Sequence, residues 1–153
     1  MFPAALCIVF ILLASPLGEA KTMEEWEALE KKSSQACLTE MNLVNELGAN
    51  FTYDSVENFT KLEDFSPNVR CFIKCIEEKL VGQDMSNMKK FLDKGMDYWK
   101  DVFKAQKWSP AKVKAFIDSI MPCDALRGPN NCDTIVLMYL CEDKAMKKVE
   151  KLN

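Results

Sequence analysis

The spacing of six cysteines is the feature that most limits how this chain can fold. Between Cys37, Cys71, Cys75, Cys123, Cys132 and Cys141 lie 33, 3, 47, 8 and 8 residues. An even number of cysteines in a secreted chain predicts three disulfides, although the sequence alone leaves fifteen pairings open. Zinc binding is the alternative use of cysteine. It is disfavoured because the chain has no histidine and no two cysteines separated by two residues.

The N-terminal segment predicts a secretory signal peptide at residues 1–20. Its apolar run from Leu6 to Ala14 is too short to span a membrane, and Gly18 and Ala20 are small residues that suit a cleavage site. An anchor helix is the alternative, because the segment begins without the usual Lys or Arg. We expect cleavage to remove Cys7 with this segment. Residues 21–153 would then form a single secreted, extracellular domain without membrane insertion.

Apolar residues recur at helical spacing along residues 21–153. Thr22 followed by Glu25 predicts a capping box at the start of the first helix. Ser66 and Ser109, each followed by proline, predict two further helix starts, and Gly82 predicts a helix end. The sequence therefore predicts an all-α fold with six or seven helices.

The stretch from Cys132 to Cys141 predicts the central helix of this fold. Every residue from Ile135 to Cys141 is apolar, and a helix without a polar stripe belongs in the interior. At about 100° per residue, the two cysteines point to opposite sides of the helix. Disulfides at both would therefore tie this helix to two different parts of the chain. A buried strand is the alternative, because a short apolar run does not distinguish the two structures.

The charge balance and the missing histidine argue against several classes of function. Loss of Glu19 with the signal peptide reduces the 23 Asp and Glu to 22, against 20 Lys and Arg, a formal charge of −2. That balance argues against a nucleic-acid binder or an anionic-membrane binder. Without histidine the chain lacks Ser-His catalysis, Cys-His catalysis and His-based metal sites. We predict neither an enzyme nor a cofactor, since no nucleophile–base pair or metal cluster stands out.

The cysteine order, the helical pattern and the signal peptide together resemble the insect odorant-binding protein family, in its pheromone- and general-odorant-binding group. The similarity extends from Cys37 to Cys141 and depends on the three-residue spacing and the final eight-residue spacing. It implies helices around a hydrophobic cavity, interlocked by three disulfides. The implied pairs are Cys37–Cys75, Cys71–Cys132 and Cys123–Cys141. We expect a monomer or weak homodimer, with a chemosensory receptor as a candidate partner.

Two features depart from the usual pattern of that family. The 47 residues between Cys75 and Cys123 are at or beyond its long end, which predicts an extended fourth helix and an altered pocket. Asn50 and Asn58 each begin an Asn-Phe-Thr glycosylation sequon, whereas family members are usually described without glycans. We therefore predict a glycoprotein, with these two asparagines as the candidate sites.

The resemblance implies a secreted carrier that reversibly binds a small hydrophobic molecule, such as an odorant or pheromone, in an internal apolar cavity. The alternative is a salivary or other secreted scavenger of biogenic amines or lipids, with Asp97 and Asp101 beside Trp99 as candidate contacts. A third class is a signalling or structural protein with a filled core. The predicted contacts to a hydrophobic ligand are Phe72, Ile76, Leu80, Met88, Phe91, Leu92, Trp99, Phe116, Ile117, Ile120, Val136, Tyr139 and Leu140.

Orientation of a ligand requires polar groups in the cavity, and the candidates are Tyr53, Tyr98, Ser119, Thr134 and Tyr139. Tyr139 is the first choice because it lies in the central helix, where a buried hydroxyl needs a partner. The chain has no histidine, and ordinary carboxylates remain ionised near neutral pH. We therefore predict little change in ligand affinity between about pH 7 and about pH 6.

Overall fold

The computed structural model describes residues 21–151, and the structural statements below refer to that part of the chain. The predicted signal peptide and Leu152 are outside the described residues. Within them the fold is all-α and has no strand, as the apolar spacing predicts. The α-helices are α1 (Met23–Glu40), α2 (Val44–Leu47), α3 (Pro67–Val81), α4 (Met88–Ala105), α5 (Pro110–Ile120) and α6 (Asn131–Val149). Short 3₁₀ turns span Tyr53–Val56, Leu62–Asp64, Met85–Asn87 and Cys123–Ala125.

Several helix ends follow the predicted local signals. The backbone N–H of Glu25 donates to Thr22 Oγ1 at 3.2 Å and the N–H of Thr22 donates to Glu25 Oε2 at 2.7 Å, which completes the capping box. Ser66 and Ser109 cap α3 and α5 directly before a proline. Gly82 ends α3 in the left-handed conformation with φ 67°, which glycine adopts without a side-chain clash.

The first half of the chain departs from the predicted boundaries. The apolar pattern predicts a first helix that continues to Leu47, but α1 ends at Glu40 and the chain turns before the short α2. Asn42 makes this turn in the left-handed conformation with φ 56°, which asparagine tolerates better than most residues. Asp54 as a cap, with Val56 and Phe59 inward, predicts a short helix to about Thr60, but the structure has only the 3₁₀ turn Tyr53–Val56.

One later boundary also differs from the prediction, because the apolar spacing predicts a longer helix that starts near Ser86. The α-helix α4 begins at Met88, not near Ser86, because the N–H of Lys90 donates to Asn87 Oδ1 at 3.1 Å and fixes the cap there. At the other end of the chain, α6 continues to Val149. In the sequence pattern Ala145, Met146, Val149 and Leu152 lie on one side of the tail and predict an amphipathic helical continuation, which α6 confirms as far as Val149.

Two clusters of buried side chains fill the fold, and α6 contributes to both. Ile135 and Val136 belong to the cluster that contains residues of α1 and α3. Ala145 and Val149 belong to the cluster that contains Phe116 of α5. Because α6 packs into both clusters, its apolar stretch has no polar stripe. The stretch is a helix, so the alternative of a buried strand is wrong.

Three disulfides tie these helices together. Cys37–Cys75 joins α1 to α3, Cys71–Cys132 joins α3 to α6, and Cys123–Cys141 joins the turn after α5 to α6. They are the pairs that the family resemblance implies. The segment that each disulfide closes contains a cysteine of another disulfide, so the three bridges interlock. Because Cys132 and Cys141 point to different sides of α6, the central helix is held by two neighbours at once.

Polar contacts fix the start of α6 against α3. Asp133 is buried, and its Oδ1 accepts a hydrogen bond from Arg70 Nη1 at 2.9 Å. The preceding loop packs closely on this first turn, since a Cβ at Gly128 would lie 2.6 Å from the Cβ of Asp133. The loop therefore needs glycine at this point to reach the helix.

Candidate functional site

A cavity of about 530 Å³ lies between α1, α3, α4 and α6. The 3₁₀ turn Tyr53–Val56 adds Tyr53 to its wall, and the end of α5 adds Ile120. This volume is in the range of pockets that hold small organic molecules. The fold thus keeps a space between its helices that the two buried clusters do not fill.

The long helices around the cavity each contribute one stripe of residues to its wall. The stripes include Met23, Trp26 and Glu30 on α1, Glu77, Leu80 and Val81 on α3, Phe91, Leu92, Gly95, Met96 and Trp99 on α4, and Ile135, Met138, Tyr139, Glu142 and Met146 on α6. On α1, α3 and α6 the wall residues recur at steps of three or four, some with an adjacent residue, as one face of a helix requires, whereas on α4 every residue from Lys94 to Trp99 borders the cavity. Helical periodicity therefore accounts for three of the four main walls.

Aromatic rings make much of this wall, and they contact one another edge to face. The ring centroids of Trp26 and Tyr98 are 5.2 Å apart, those of Tyr98 and Trp99 are 5.1 Å apart, and those of Tyr53 and Tyr139 are 5.3 Å apart. Such pairs are favoured by the ring quadrupoles. The rings thus form two groups, one at α1 and α4 and the other at α6.

The half-buried carboxyl group of Glu77 lies beside the second group of rings. The Tyr53 O–H donates to Glu77 Oε1 at 2.7 Å. Burial raises the pKa of Glu77, and the hydrogen bond from Tyr53 offsets part of that rise. Burial, followed by the charge and the hydrogen bond of Glu77, raises the pKa of Tyr53 well above its usual value. The tyrosine therefore stays a hydrogen-bond donor at neutral pH.

Two more glutamates of the wall have strongly raised pKa values. Burial, with smaller contributions from the charges of Glu77 and Asp124, raises the pKa of Glu142 to about 8, and a hydrogen bond from Trp99 opposes the rise. Burial, with the nearby charges of Asp54, Glu77 and Glu27, raises the pKa of Glu30 to about 7. We refer to Glu30, Glu77 and Glu142 as the inner glutamates.

The inner glutamates lack cationic partners, unlike Asp97 and Asp143 of the same wall. Lys100 donates to Asp97 at 2.9 Å, and Lys147 donates to Asp143 at 2.7 Å. In the described part of the chain, no lysine or arginine forms a salt bridge with an inner glutamate. The cavity therefore holds acidic groups that the protein itself does not neutralise.

The residues predicted to contact a ligand divide into two groups. Those on the cavity wall are Leu80, Phe91, Leu92, Trp99, Ile120 and Tyr139. Those that pack in the buried clusters, away from the wall, are Phe72, Ile76, Met88, Phe116, Ile117, Val136 and Leu140. The apolar face of each helix is wide, and only the flank that faces the gap between helices reaches the cavity.

The predicted polar groups divide in the same way. Tyr53, Tyr98 and Tyr139 line the cavity. Ser119 and Thr134 do not line the cavity. The hydroxyl of each donates to the backbone carbonyl oxygen four residues earlier, at 2.7 Å for Ser119 and 2.9 Å for Thr134. Helical hydroxyls often satisfy themselves in this manner, and it leaves them unable to orient a ligand in this cavity.

The predicted acidic contacts for an amine, Asp97 and Asp101, have other roles. Asp97 is paired with a lysine, as described above. Asp101 Oδ2 accepts a hydrogen bond from Trp26 Nε1 at 2.9 Å and another from the backbone N–H of Lys21 at 3.2 Å. Asp101 therefore fixes the indole ring of Trp26, which is part of the cavity wall.

Glu30 and Glu77 are not predicted from the sequence, because charged residues on helices usually face solvent. The helical spacing does indicate the position of Glu142. It follows Ile135 by seven residues and Tyr139 by three, which places it on the same side of the helix as those two residues. The raised pKa values of Glu30 and Glu142 also remove the basis for predicting little change in affinity near neutral pH. That prediction assumed ordinary carboxylates, and these do not titrate as ordinary carboxylates.

The two sequon asparagines, Asn50 and Asn58, are exposed in the turns between α2 and α3, so glycosylation there stays a prediction. Among residues 21–151 no helix is long and apolar enough to cross a membrane. No protein-family model matches the chain, and neither a curated protein nor a solved structure gives a match. The cavity and the cysteine pattern are therefore the features that bear on function.

Proposed function

We propose that this protein is a secreted carrier that reversibly binds one small organic molecule in the cavity between α1, α3, α4 and α6. The cavity of about 530 Å³ with aromatic and aliphatic walls is the observation that supports this function. Burial of the ligand's apolar surface drives binding, at roughly 25 cal/mol per Å². The carrier shields the molecule from water and releases it by dissociation.

The disulfides support a carrier because they fix three walls of the cavity relative to one another. Two of the four main walls, α3 and α6, are joined to each other by Cys71–Cys132, and α1 is joined to α3 by Cys37–Cys75. The resemblance to the insect odorant-binding proteins agrees with this arrangement. Odorants, pheromones and similar molecules are accordingly the first ligands to test, and a chemosensory receptor is a partner to test with them.

Scavenging of amines is a second function, and the inner glutamates favour it. A scavenger would use the same cavity, and it differs from a carrier in retaining its ligand instead of delivering it. Lipids, the other scavenged class, gain less support because a fatty-acid head group carries the same charge as these glutamates. The two functions therefore share one binding site and differ in the ligand and its release.

A neutral fluorescent naphthylamine is expected to bind the refolded protein and to become brighter as it enters the apolar cavity. Candidate odorants should displace it. Leu80→Trp places a larger side chain in the wall and should weaken probe binding about tenfold or more, equivalent to about 1.4 kcal/mol. The matched control is Met121→Trp, at a residue that is 63% exposed and outside the wall.

The carrier function is contradicted if the probe does not bind the folded wild-type protein. It is also contradicted if Met121→Trp weakens binding as much as Leu80→Trp does, because the probe would then bind at the surface. Far-ultraviolet circular dichroism of each variant shows that it has folded before the titration is interpreted.

A further inference from the structure

The cavity walls are strongly acidic, which an apolar ligand does not require. The charged side chains on them are Lys21, Glu27, Glu30, Asp54, Glu77, Lys94, Asp97, Asp124, Glu142 and Asp143. Eight are carboxylic acids and two are amines. These acids come from α1, the Tyr53–Val56 turn, α3, α4, the turn after α5, and α6, so every wall of the cavity carries negative charge.

Neither lysine of the wall neutralises the inner glutamates. Lys21 Nζ lies 4.4 Å from the centroid of the Trp26 ring, and Lys94 Nζ donates to the carbonyl oxygen of Gly82 at 3.4 Å. Burying carboxylates without a partner is costly, and proteins normally pair them or leave them protonated. An acidic interior of this kind is explained if the partner comes from the ligand.

The aromatic rings of the wall suit the same partner. Trp26 already accepts one ammonium group on its face, that of Lys21. Tyr98 and Trp99 continue this group of rings on α4, and the Tyr53 and Tyr139 rings flank Glu77 on the other side. Aromatic faces together with carboxylates are the usual surroundings of a bound organic ammonium ion.

We propose, on the basis of the carrier function above, that the cavity binds its ligand as a protonated amine with an apolar or aromatic body, and that the inner glutamates are its counter-ions. The rings enclose the body of the ligand, and the acidic side chains on α1, α3 and α6 compete for its ammonium group. A divalent metal ion is a poorer occupant. Among residues 21–151 no three potential ligand side chains are grouped to hold one.

Binding of an ammonium ion favours the charged form of each carboxyl group beside it. Glu142, with a pKa of about 8, and Glu30, with a pKa of about 7, are partly protonated near neutral pH in the empty cavity. Uptake of the cation therefore expels protons. In the opposite direction, acidification protonates these groups and releases the amine, without any histidine.

The decisive experiment compares naphthylethylamine with naphthylethanol, which share one body and differ in an ammonium or a hydroxyl group. At about pH 8 we expect the amine to bind about tenfold or more tightly, and we expect this preference to disappear by about pH 5.5, where Glu30 and Glu142 are protonated. Calorimetry in buffers of different ionisation enthalpy should show proton release with the amine and none with the alcohol.

Glu77→Gln together with Glu142→Gln should reduce amine affinity about tenfold or more and leave alcohol affinity within about twofold. The control is Asp97→Asn with Asp143→Asn, which removes two carboxylates of the wall that already have lysine partners. Glutamine keeps the shape of each side chain and removes the burial of charge, and a thermal unfolding curve verifies that both double variants are folded.

Equal binding of amine and alcohol by the wild-type protein at about pH 8 would overturn the ammonium proposal and leave the carrier function intact. Failure of both compounds, and of the neutral naphthylamine, would overturn the carrier function itself. An equal loss of amine affinity in both double variants would show that overall negative charge attracts the amine and that the inner glutamates are not its counter-ions.

Discussion

Replacing Cys71 and Cys132 together with alanine is expected to lower the free energy of unfolding by about 4 kcal/mol. Their disulfide joins residues 61 positions apart, and it removes more freedom from the unfolded chain than a short bridge would. It also joins two walls of the cavity, α3 and α6. Denaturant unfolding followed by tryptophan fluorescence measures the loss, and the naphthylamine titration should weaken in parallel.

The bridge between Cys123 and Cys141 provides the matched comparison. It spans only 18 positions, and its removal by alanine is expected to cost about 3 kcal/mol on the same entropic argument. A loss below about 1 kcal/mol for the longer bridge would contradict the proposed role of the disulfides. A clearly larger loss for the shorter bridge would contradict it as well.

The empty protein is expected to become less stable as the pH rises from about 5 to about 8, and Glu142→Gln should remove much of this decrease. The pKa of Glu142 is raised from 4.5 to about 8 by folding, so the folded state holds more protons than the unfolded state over this interval. Its stabilising effect is complete below about pH 4.5 and is lost as the pH rises through about 8.

The expected size of this loss is on the order of 3 kcal/mol, because one pKa unit is about 1.4 kcal/mol and solvent in the cavity screens part of the effect. Glu30 and Glu77 act in the same direction. Asp64 and Asp84 act in the opposite direction, since hydrogen bonds lower their pKa values below 3.8, but their effect falls at more acidic pH.

Thermal unfolding of the wild-type protein and of Glu142→Gln at several pH values measures this effect. Asp143→Asn is the control, since this neighbour on α6 is paired with Lys147. We expect the control to keep the wild-type dependence on pH. A wild-type protein that is more stable at about pH 8 than at about pH 5.5 would contradict the burial of Glu142 as an unpaired acid.

Much of the fold can be predicted from the sequence because its signals are local. Capping residues at Thr22, Ser66 and Ser109 fix helix starts through hydrogen bonds within one turn. The apolar stretch of α6 identifies the central helix for a similar reason. The break after Glu40 is not visible in this way, because the apolar spacing continues through it while the backbone turns at Asn42.

The site is harder to predict because it depends on how helices pack. Phe72 and Leu80 lie on the same apolar side of α3 in the sequence pattern, yet Phe72 is fully buried in the core and Leu80 faces the cavity. Periodicity does not tell these two positions apart. Glu30 and Glu77 were missed for the related reason that a glutamate in a helix does not reveal which neighbour covers it.

Two-dimensional NMR of the indole N–H groups, with and without a saturating naphthylamine, tests the central claim most directly. The chain has 3 tryptophans. Trp26 and Trp99 line the cavity, whereas Trp108 lies outside it and its Nε1 donates to Gln106 at 2.7 Å. We expect the resonances of Trp26 and Trp99 to shift and that of Trp108 to stay. Saturable binding that moves only Trp108, or none of the three, would contradict a ligand in this cavity.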